Sequence, residues 1–304
     1  MDKDIVAVPS VFVVILNWNS GPDTIACLEA LARSTYPDAR LLVVDNASTD
    51  DSPTRIAERF PQVELLVLDA NHGYAGGNNR GIAHGLGSSD YVWLLNPDVV
   101  VAPDCLALLV DAAEAAPRAA LLGPLVLMRE DPERILSAGG RLVDGWPSHR
   151  GIGEPDGTRS DAVTEVDYVT GCALLVRRRA LASIGPLDER FFLYGEEVDW
   201  SQRARAAGFT SVVVPRAKVW HPNTVARDAE SALVTYYITR NHLFLIRKHA
   251  LGAPLLARHL WRHARTLASW SLRPKWRHKR AQRRALWRAL TDFARGRSGP
   301  ARGL

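Results

Sequence analysis

The sequence predicts an α/β fold organised on a mostly parallel sheet. Over the first 130 residues, short apolar runs alternate with helical segments, the pattern of strands joined by crossover helices. Each of the first four runs ends in a polar or Gly-rich loop. No stretch approaches 18 uninterrupted apolar residues, so a membrane-spanning helix does not compete for these runs.

The expected strands are residues 11–16, 41–44, 63–68, 91–95 and 119–127, and the expected helices are 22–34, 52–60, 77–85 and 103–116. Proline or a small polar residue near each helix start supports these boundaries. The loops that follow the first four strands read Asn17-Trp18-Asn19-Ser20, Asp45-Asn46-Ala47-Ser48-Thr49-Asp50, Asn71-His72-Gly73-Tyr74-Ala75-Gly76-Gly77 and Asn96-Pro97-Asp98. In an open α/β sheet such loops share the carboxyl edge, where ligands bind. Singly, each is ordinary turn chemistry.

Residues 137–167 are rich in Gly and Pro with little periodicity, as expected of an excursion. An apolar segment resumes over 168–176. A helix over 196–207 closes at Gly208, and a last strand over 210–215 leads to Trp220-His221-Pro222.

The hydrophobic fraction is 47% and the charged fraction 23%, ordinary for a globular chain of 304 residues. Charge is unevenly placed. Sixteen of the 38 Lys and Arg, but only Asp292 of the 33 acids, lie from Arg247 onward, so upstream 22 bases face 32 acids. Such a basic tail is built to meet a polyanion. Cys27, Cys105 and Cys172 are odd in number and widely spaced, which reads as reduced, buried thiols. Met1 to Asp4 lack the flank and apolar core of a signal peptide, so the expected compartment is the cytoplasm.

Three groups of residues carry candidate chemistry. Asp98, on a proline-stiffened turn after a strand, suits a hard divalent cation that bridges phosphates, although Asn-Pro-Asp is also an ordinary Asx turn. Glu196, Glu197 and Asp199 crowd three carboxylates into four residues, which resists full ionisation and raises one toward the range of a useful base. At helical spacing Glu196, Asp199 and Arg203 share a face; acids in a first turn also simply favour the helix dipole. His221 is compatible with a neutral imidazole ligand, and gains weight only beside Asp98. The run Gly76-Gly77-Asn78-Asn79-Arg80 would open a helix whose free N–H groups, with Arg80, accept phosphate charge.

In order, these segments resemble glycosyltransferase family 2, particularly its rhamnosyltransferase-like branch. The resemblance runs from Val13-Val14-Ile15-Leu16-Asn17-Trp18-Asn19 through Asp45, the Asn71 to Gly81 run, Leu94-Leu95-Asn96-Pro97-Asp98, Thr170-Gly171-Cys172-Ala173 and Phe192-Leu193-Tyr194-Gly195-Glu196-Glu197-Val198-Asp199 to Trp220-His221. It implies a GT-A fold over residues 1–245, with a donor-binding half at 10–130 and an acceptor half at 131–245. Donor binding would involve Asn17, Asn19, Asp45, Asn46, Asn71, Gly77, Arg80, Asn96 and Asp98. Asp45 would read a pyrimidine base and Arg80 would meet the diphosphate. Asp98 and His221 would hold Mg²⁺ or Mn²⁺. Glu197 would be the general base of an inverting transfer, with Glu196 and Asp199 beside it. The family's metal motif is usually Asp-x-Asp; here its first position is Asn96, and Glu197 stands where the branch often has Asp. dTDP-rhamnose is the donor implied first, then UDP-sugars, with a glycan or polyprenyl-linked acceptor in cell-envelope polysaccharide synthesis. A nucleotidyltransferase lacks support, because no Gly-rich activation loop with Arg and Lys lies near the N-terminus. A non-catalytic nucleotide-sugar-binding protein would leave the Glu196 to Asp199 cluster without a role.

Residues 246–304 read as a basic, Trp-containing helical tail. Leu260, Ala264 and Leu267 follow helical spacing opposite Arg258, Arg262 and Arg265, and Trp270, Trp276 and Trp287 interleave with further cations. This is the composition of an interfacial helix on anionic lipid, which places the chain peripherally on the inner face of the cell membrane. Packing on the acidic body competes with that reading; nucleic acid is not the expected partner.

Overall fold

A computed structural model describes residues 8–85, 87, 89–223, 231–301 and 303. Met1 to Asp4, on which the targeting expectation rests, lie outside these residues. Strands β1 (Val11–Asn17), β2 (Ala39–Asp45), β3 (Glu64–Val67) and β4 (Tyr91–Leu95) pair in parallel in the order β3-β2-β1-β4. Helices α1 (Gly21–Leu31), α2 (Ser52–Arg59) and α3 (Gly73–Gly85) connect them. The period-2 alternation of β1 sorts its side chains into two cores. Val11, Val13 and Ile15 pack with Cys27 and Leu28 of α1, whereas Phe12 and Val14 pack on the other face with Ile82 of α3. That second face needs glycine: a Cβ on Gly85 would lie 1.9 Å from the Phe12 ring, and one on Gly81 would lie 2.5 Å from Val14.

Beyond α4 (Cys105–Ala115) the sheet becomes mixed. Strands β6 (Ala119–Met128) and β12 (Thr210–His221) run parallel, while β11 (Ala173–Arg177) inserts antiparallel between β4 and β6. The short strands β5 (Val100–Val101), β7 (Ile135–Ser137) and β10 (Thr164–Val166) add antiparallel edges. Six of the ten described strands of this sheet therefore share one direction. Several sequence boundaries shift. The expected excursion at 137–167 contains β10 and a hairpin of β8 (Gly140–Val143) and β9 (Trp146–His149). The apolar segment 168–176 is strand only from Ala173. β12 continues past Pro215 to His221 because a β-bulge between Val214 and Lys218 absorbs the proline and re-forms the register with β6.

Helix α5 (Arg178–Ile184) and α6 (Glu196–Ala206) precede β12, and α7 (Ala232–Lys248) follows it. Sequence reading assigns no element to residues 232–248, and α7 carries the chain past residue 245 without a break. α7 fixes the loop that leads into α6. Asn241 Nδ2 donates to the carbonyls of Phe191 at 2.9 Å, Leu193 at 2.8 Å and Tyr194 at 2.7 Å. Arg240, fully buried, donates to Phe191 O at 3.0 Å and Gly299 O at 2.6 Å, with its guanidinium 5.0 Å from the Tyr236 ring centroid and 5.1 Å from that of Tyr237. These contacts hold Phe192, Tyr194 and Gly195 at φ of 66°, 67° and 96°, which the first two would not adopt on their own.

The tail contributes α8 (Ala253–Leu272), a 3₁₀ turn (Pro274–Lys279) and α9 (Arg280–Ala294). α9 packs on α7 through Ala285, Ala289, Tyr236 and Tyr237, and Tyr236 donates to Asp292 at 2.8 Å. The buried residues of α8 are His259 and His263; of the Leu260, Ala264 and Leu267 stripe, Ala264 is exposed and the others are half-buried. His259 Nε2 lies 2.9 Å from Asp144 O and His242 of α7 lies 2.9 Å from Gly145 O, so two imidazoles grip the β8–β9 turn around Trp146. Burial pushes His242 down to about 3 and His263 to about 4, with His259 adding to both, so these rings pack as neutral side chains.

Asn241→Ala is expected to cost roughly 3 kcal/mol, since buried carbonyls lose their donor while the strained loop remains. Urea unfolding measures this directly. A midpoint equal to that of the unsubstituted chain would mean that the loop is held by something else.

Candidate active site

The carboxyl ends of β1 to β4 bring their loops to one edge, and hydrogen bonds knit them together. Asn17 Nδ2 donates to Asp45 Oδ1 at 2.7 Å, Asn17 Oδ1 accepts from Thr24 at 2.8 Å, and Ser48 donates to both Asp45 oxygens at 2.6 and 3.0 Å. Asn19 accepts from Thr49 N at 2.7 Å. Asn46 Nδ2 reaches Asn71 Oδ1 and Gly73 O, both at 3.1 Å, and its Oδ1 accepts from His72 N at 2.9 Å. Asn17, Asn19, Asp45, Asn46 and Asn71 thus form one connected platform. Asn17 and Asp45 are fully buried within it, and Asp45, implied by resemblance to read a base, holds the 46–49 turn through Ser48. Trp18, 53% exposed, presents an aromatic surface beside this platform, a feature sequence reading left without a role.

The Gly76 to Arg80 segment does not open a helix. α3 begins at Gly73, and Phe192 O accepts from Tyr74 N at 2.7 Å, which occupies the helix N-terminus with a carbonyl where a phosphate was expected. Gly77 lies in the second turn, where its absent Cβ admits Leu16; a Cβ there would sit 2.5 Å from Leu16 Cδ1. Arg80 bonds Gly76 O at 2.8 Å and Glu189 at 3.4 Å, and is one-third exposed.

Asp98 and His221 meet from opposite halves of the chain. His221, the last residue of β12, places Nε2 3.2 Å from Asp98 Oδ1 and 3.4 Å from Asn96 Nδ2. The Asp98 contact is close but not aligned as a hydrogen bond, which leaves Oδ1 a buried acceptor with no donor. Burial alone would push the Asp98 carboxyl up; the His221 imidazole outweighs it and holds the group below its ordinary value. A hard oxygen beside a ring nitrogen, with an unsatisfied acceptor between them, suits a divalent cation. Among the described residues no group of three His, Cys, Asp or Glu converges as a metal cage, so further ligands would come from phosphate and water.

The three acids of α6 separate into two environments. Asp199, fully buried, carries Arg203 at 2.9 Å, Lys248 at 2.6 Å and His249 at 2.9 Å. Burial would raise its carboxyl, but these cations hold it low. Saturated in this way, Asp199, expected beside the base, anchors α6 to α7. Glu196 is also buried, yet its Oε2 has no partner. Burial, then the Glu197 charge, pushes it well above its ordinary value. Glu197 is half-buried, with Oε2 accepting from Gly195 N at 3.1 Å, and burial raises it too. Between this pair and Asp98 lies the Thr170 to Ala173 turn. The Cys172 thiol, pushed by burial up to about 12, feels the charges of both Asp98 and Glu197, and Tyr74 donates to Gly171 O at 2.5 Å.

Residues 12–185 match the family described as Glycosyl transferase family 2. The N-acetylglucosaminyl-diphospho-decaprenol L-rhamnosyltransferase of Mycobacterium tuberculosis is 34% identical over 264 residues, covering 78% of this chain and 84% of that protein. The fold is similar to that of the mannosyltransferase PcManGT of Pyrobaculum calidifontis, solved with GDP-Man and Mn²⁺, with a TM-score of 0.59 and 16% identity over 95% of this chain and 88% of that one. It is equally similar to S. aureus TarS 1-349 in complex with UDP-GlcNAc, with a TM-score of 0.59 and 19% identity over 93% and 80% of the two chains. With more than half its length matched and a relative this close over most of it, the chain belongs to glycosyltransferase family 2 and is a glycosyltransferase built on the GT-A fold.

Proposed function

We propose that this glycosyltransferase inverts the anomeric centre as it moves a sugar, rhamnose before others, from a nucleoside diphosphate to a hydroxyl of a glycan or polyprenyl-linked acceptor. The observation that carries this reading is the pairing of a half-buried, raised carboxylate, Glu197, with the Asp98–His221 couple across one short turn. That the mycobacterial relative is an L-rhamnosyltransferase for a diphospho-decaprenol acceptor supports rhamnose as the sugar and a lipid-linked acceptor. The donor would be dTDP-rhamnose first, and a UDP-sugar next.

The donor's base and ribose would lie on the Asn17, Asn19 and Asn46 platform, with Trp18 available to stack. Asp98 and His221 would hold Mg²⁺ or Mn²⁺, with the diphosphate and water completing its shell. Such a cation, when bound, offsets the negative charge of the departing diphosphate. Arg80 would turn from Glu189 toward the same charge. Glu197 takes the acceptor hydroxyl proton as that oxygen bonds to the anomeric carbon; the carbon–oxygen bond to the diphosphate breaks and the nucleoside diphosphate leaves with the electron pair. Burial and the Glu197 charge push Glu196 well above its ordinary value, which disfavours a second charge beside the base. Among the described residues no helix is long and apolar enough to cross a membrane. The half-covered Leu260 and Leu267 and the exposed cations of α8 support peripheral attachment at the inner face of the cell membrane.

Glu197→Gln is expected to retain donor affinity, read by calorimetry, and to lose about 10²- to 10⁴-fold in turnover. Wild-type turnover would remove Glu197 from the base role, and donor binding without turnover in the unsubstituted protein would favour a binding module. The pH profile of kcat/KM has a definite sign. The working form is deprotonated and burial disfavours it, so activity should fall as pH drops through a value above the ordinary glutamate range. That limb should persist in Glu197→Asp and vanish in Glu197→Gln. Asp98→Asn should weaken Mn²⁺ binding, measured by the spin-resonance signal of the free ion in the presence of nucleoside diphosphate. An unchanged affinity would place the metal elsewhere.

A further inference from the structure

One surface of the tail is shaped beyond what general adhesion to a membrane requires. The last three turns of α8 and the 3₁₀ turn enclose an open groove of about 630 Å³, lined by Arg262, Arg265, Arg273, Trp270, Trp276 and Leu272. The three arginines are exposed, and no carboxylate is within salt-bridge distance of any of them among the described contacts. Between Ala253 and Thr291 the sequence contains no acid at all. Arg262 has its guanidinium 5.8 Å from the Trp146 ring centroid, which steadies one cation at the groove wall. The indole N–H of Trp276 lacks an acceptor among the described residues. Leu272, 81% exposed, sits at the groove rim, and α8 also presents Trp261 at 67% exposure.

We infer that this groove binds the phosphate headgroup of an anionic membrane phospholipid. The charges select the ligand. Guanidinium forks pair with phosphate oxygens in planar, bidentate geometry, and no neighbouring acid competes for them here. Two tryptophans in the lining and an exposed leucine at the rim supply the other half of a lipid's chemistry, since indoles favour the level of the headgroups and leucine the acyl chains. The inward face of α8 is already committed, through His259 and His263, to the β8–β9 turn. The groove is therefore held against the β8–β9 hairpin by a buried, hydrogen-bonded contact on the opposite side of the helix. A protein anchored through it would sit in a fixed orientation, which loose adhesion by scattered cations would not give.

The inference rests on the membrane reading of the tail, and the experiment separates the two. Flotation of the full chain is compared on phosphatidylcholine vesicles with and without phosphatidylglycerol, using two triple variants that remove equal charge. One is Arg262→Gln, Arg265→Gln and Arg273→Gln; the other is Arg277→Gln, Arg280→Gln and Arg284→Gln, all exposed residues outside the groove. Diffuse attraction weakens both equally, because each surface cation contributes alike. The groove predicts that its own triple loses about tenfold more vesicle affinity than the control triple, at unchanged circular dichroism. It also predicts that dihexanoyl phosphatidylglycerol, below its micellar concentration, changes the tryptophan emission of the unsubstituted chain and not of the groove triple. Equal losses in the two triples, or no response to the short-chain lipid, overturns the groove while leaving the membrane reading intact. Failure of the unsubstituted chain to float on phosphatidylglycerol vesicles overturns both.

Discussion

The active site depends on a buried amide. Asn241 of α7 spends its donors on the carbonyls of Phe191, Leu193 and Tyr194, and Arg240 beside it bonds Phe191 again. That loop holds two non-glycine residues in the left-handed region, a conformation that relaxes unless its surroundings over-determine it. Its far end is Gly195, whose N–H orients Glu197, and Phe192 O caps α3. One helix therefore sets the direction of the acid pair and the position of the donor-side helix together. The buried guanidinium is tolerated because carbonyls and two tyrosine rings surround it, and Tyr236 passes a hydrogen bond on to Asp292.

The same helix also divides the acids. Placed on a bare helix, Glu196, Glu197 and Asp199 would resemble one another. Lys248 and His249, at the end of α7, reach Asp199 and leave the two glutamates without a cation. A carboxylate surrounded by three bases is held charged and inert, whereas a carboxylate in a dry site beside another acid is poised to take a proton. Environment, rather than residue type, separates Asp199 from the two glutamates.

Sequence alone made legible whatever depended on local pattern. The apolar run at residues 11–16 and the polar loops at 17–20, 45–50 and 96–98 were enough to give the sheet edge, and the Asp98–His221 pairing follows once β5 and β12 are brought together. What remained hidden was long-range. Nothing within Gly76-Gly77-Asn78-Asn79-Arg80 reveals that Phe192, more than 110 residues away, takes the helix N-terminus, or that Gly77 is glycine because Leu16 lies against it. Asn241 was discoverable in part: an Arg-Asn pair inside the otherwise apolar Tyr236 to Ile246 stretch is a polar insertion that a core helix carries only with partners. In the tail, the apolar stripe at helical spacing was legible, but not that His259 and His263 on another face of the helix would meet the β8–β9 turn more than 100 residues away.

The Asp98–His221 couple explains why these elements would act together. The two side chains, one of them with an orphaned carboxylate oxygen, would form an incomplete shell for a hard cation, and such a cation gives up its water reluctantly. Affinity would then depend on what the diphosphate contributes, so that metal and donor would bind as a unit. Asn96 in place of an acid fits this arrangement: its amide lies 3.4 Å from His221 and adds no charge, so the diphosphate would supply most of the negative charge that a bound cation offsets.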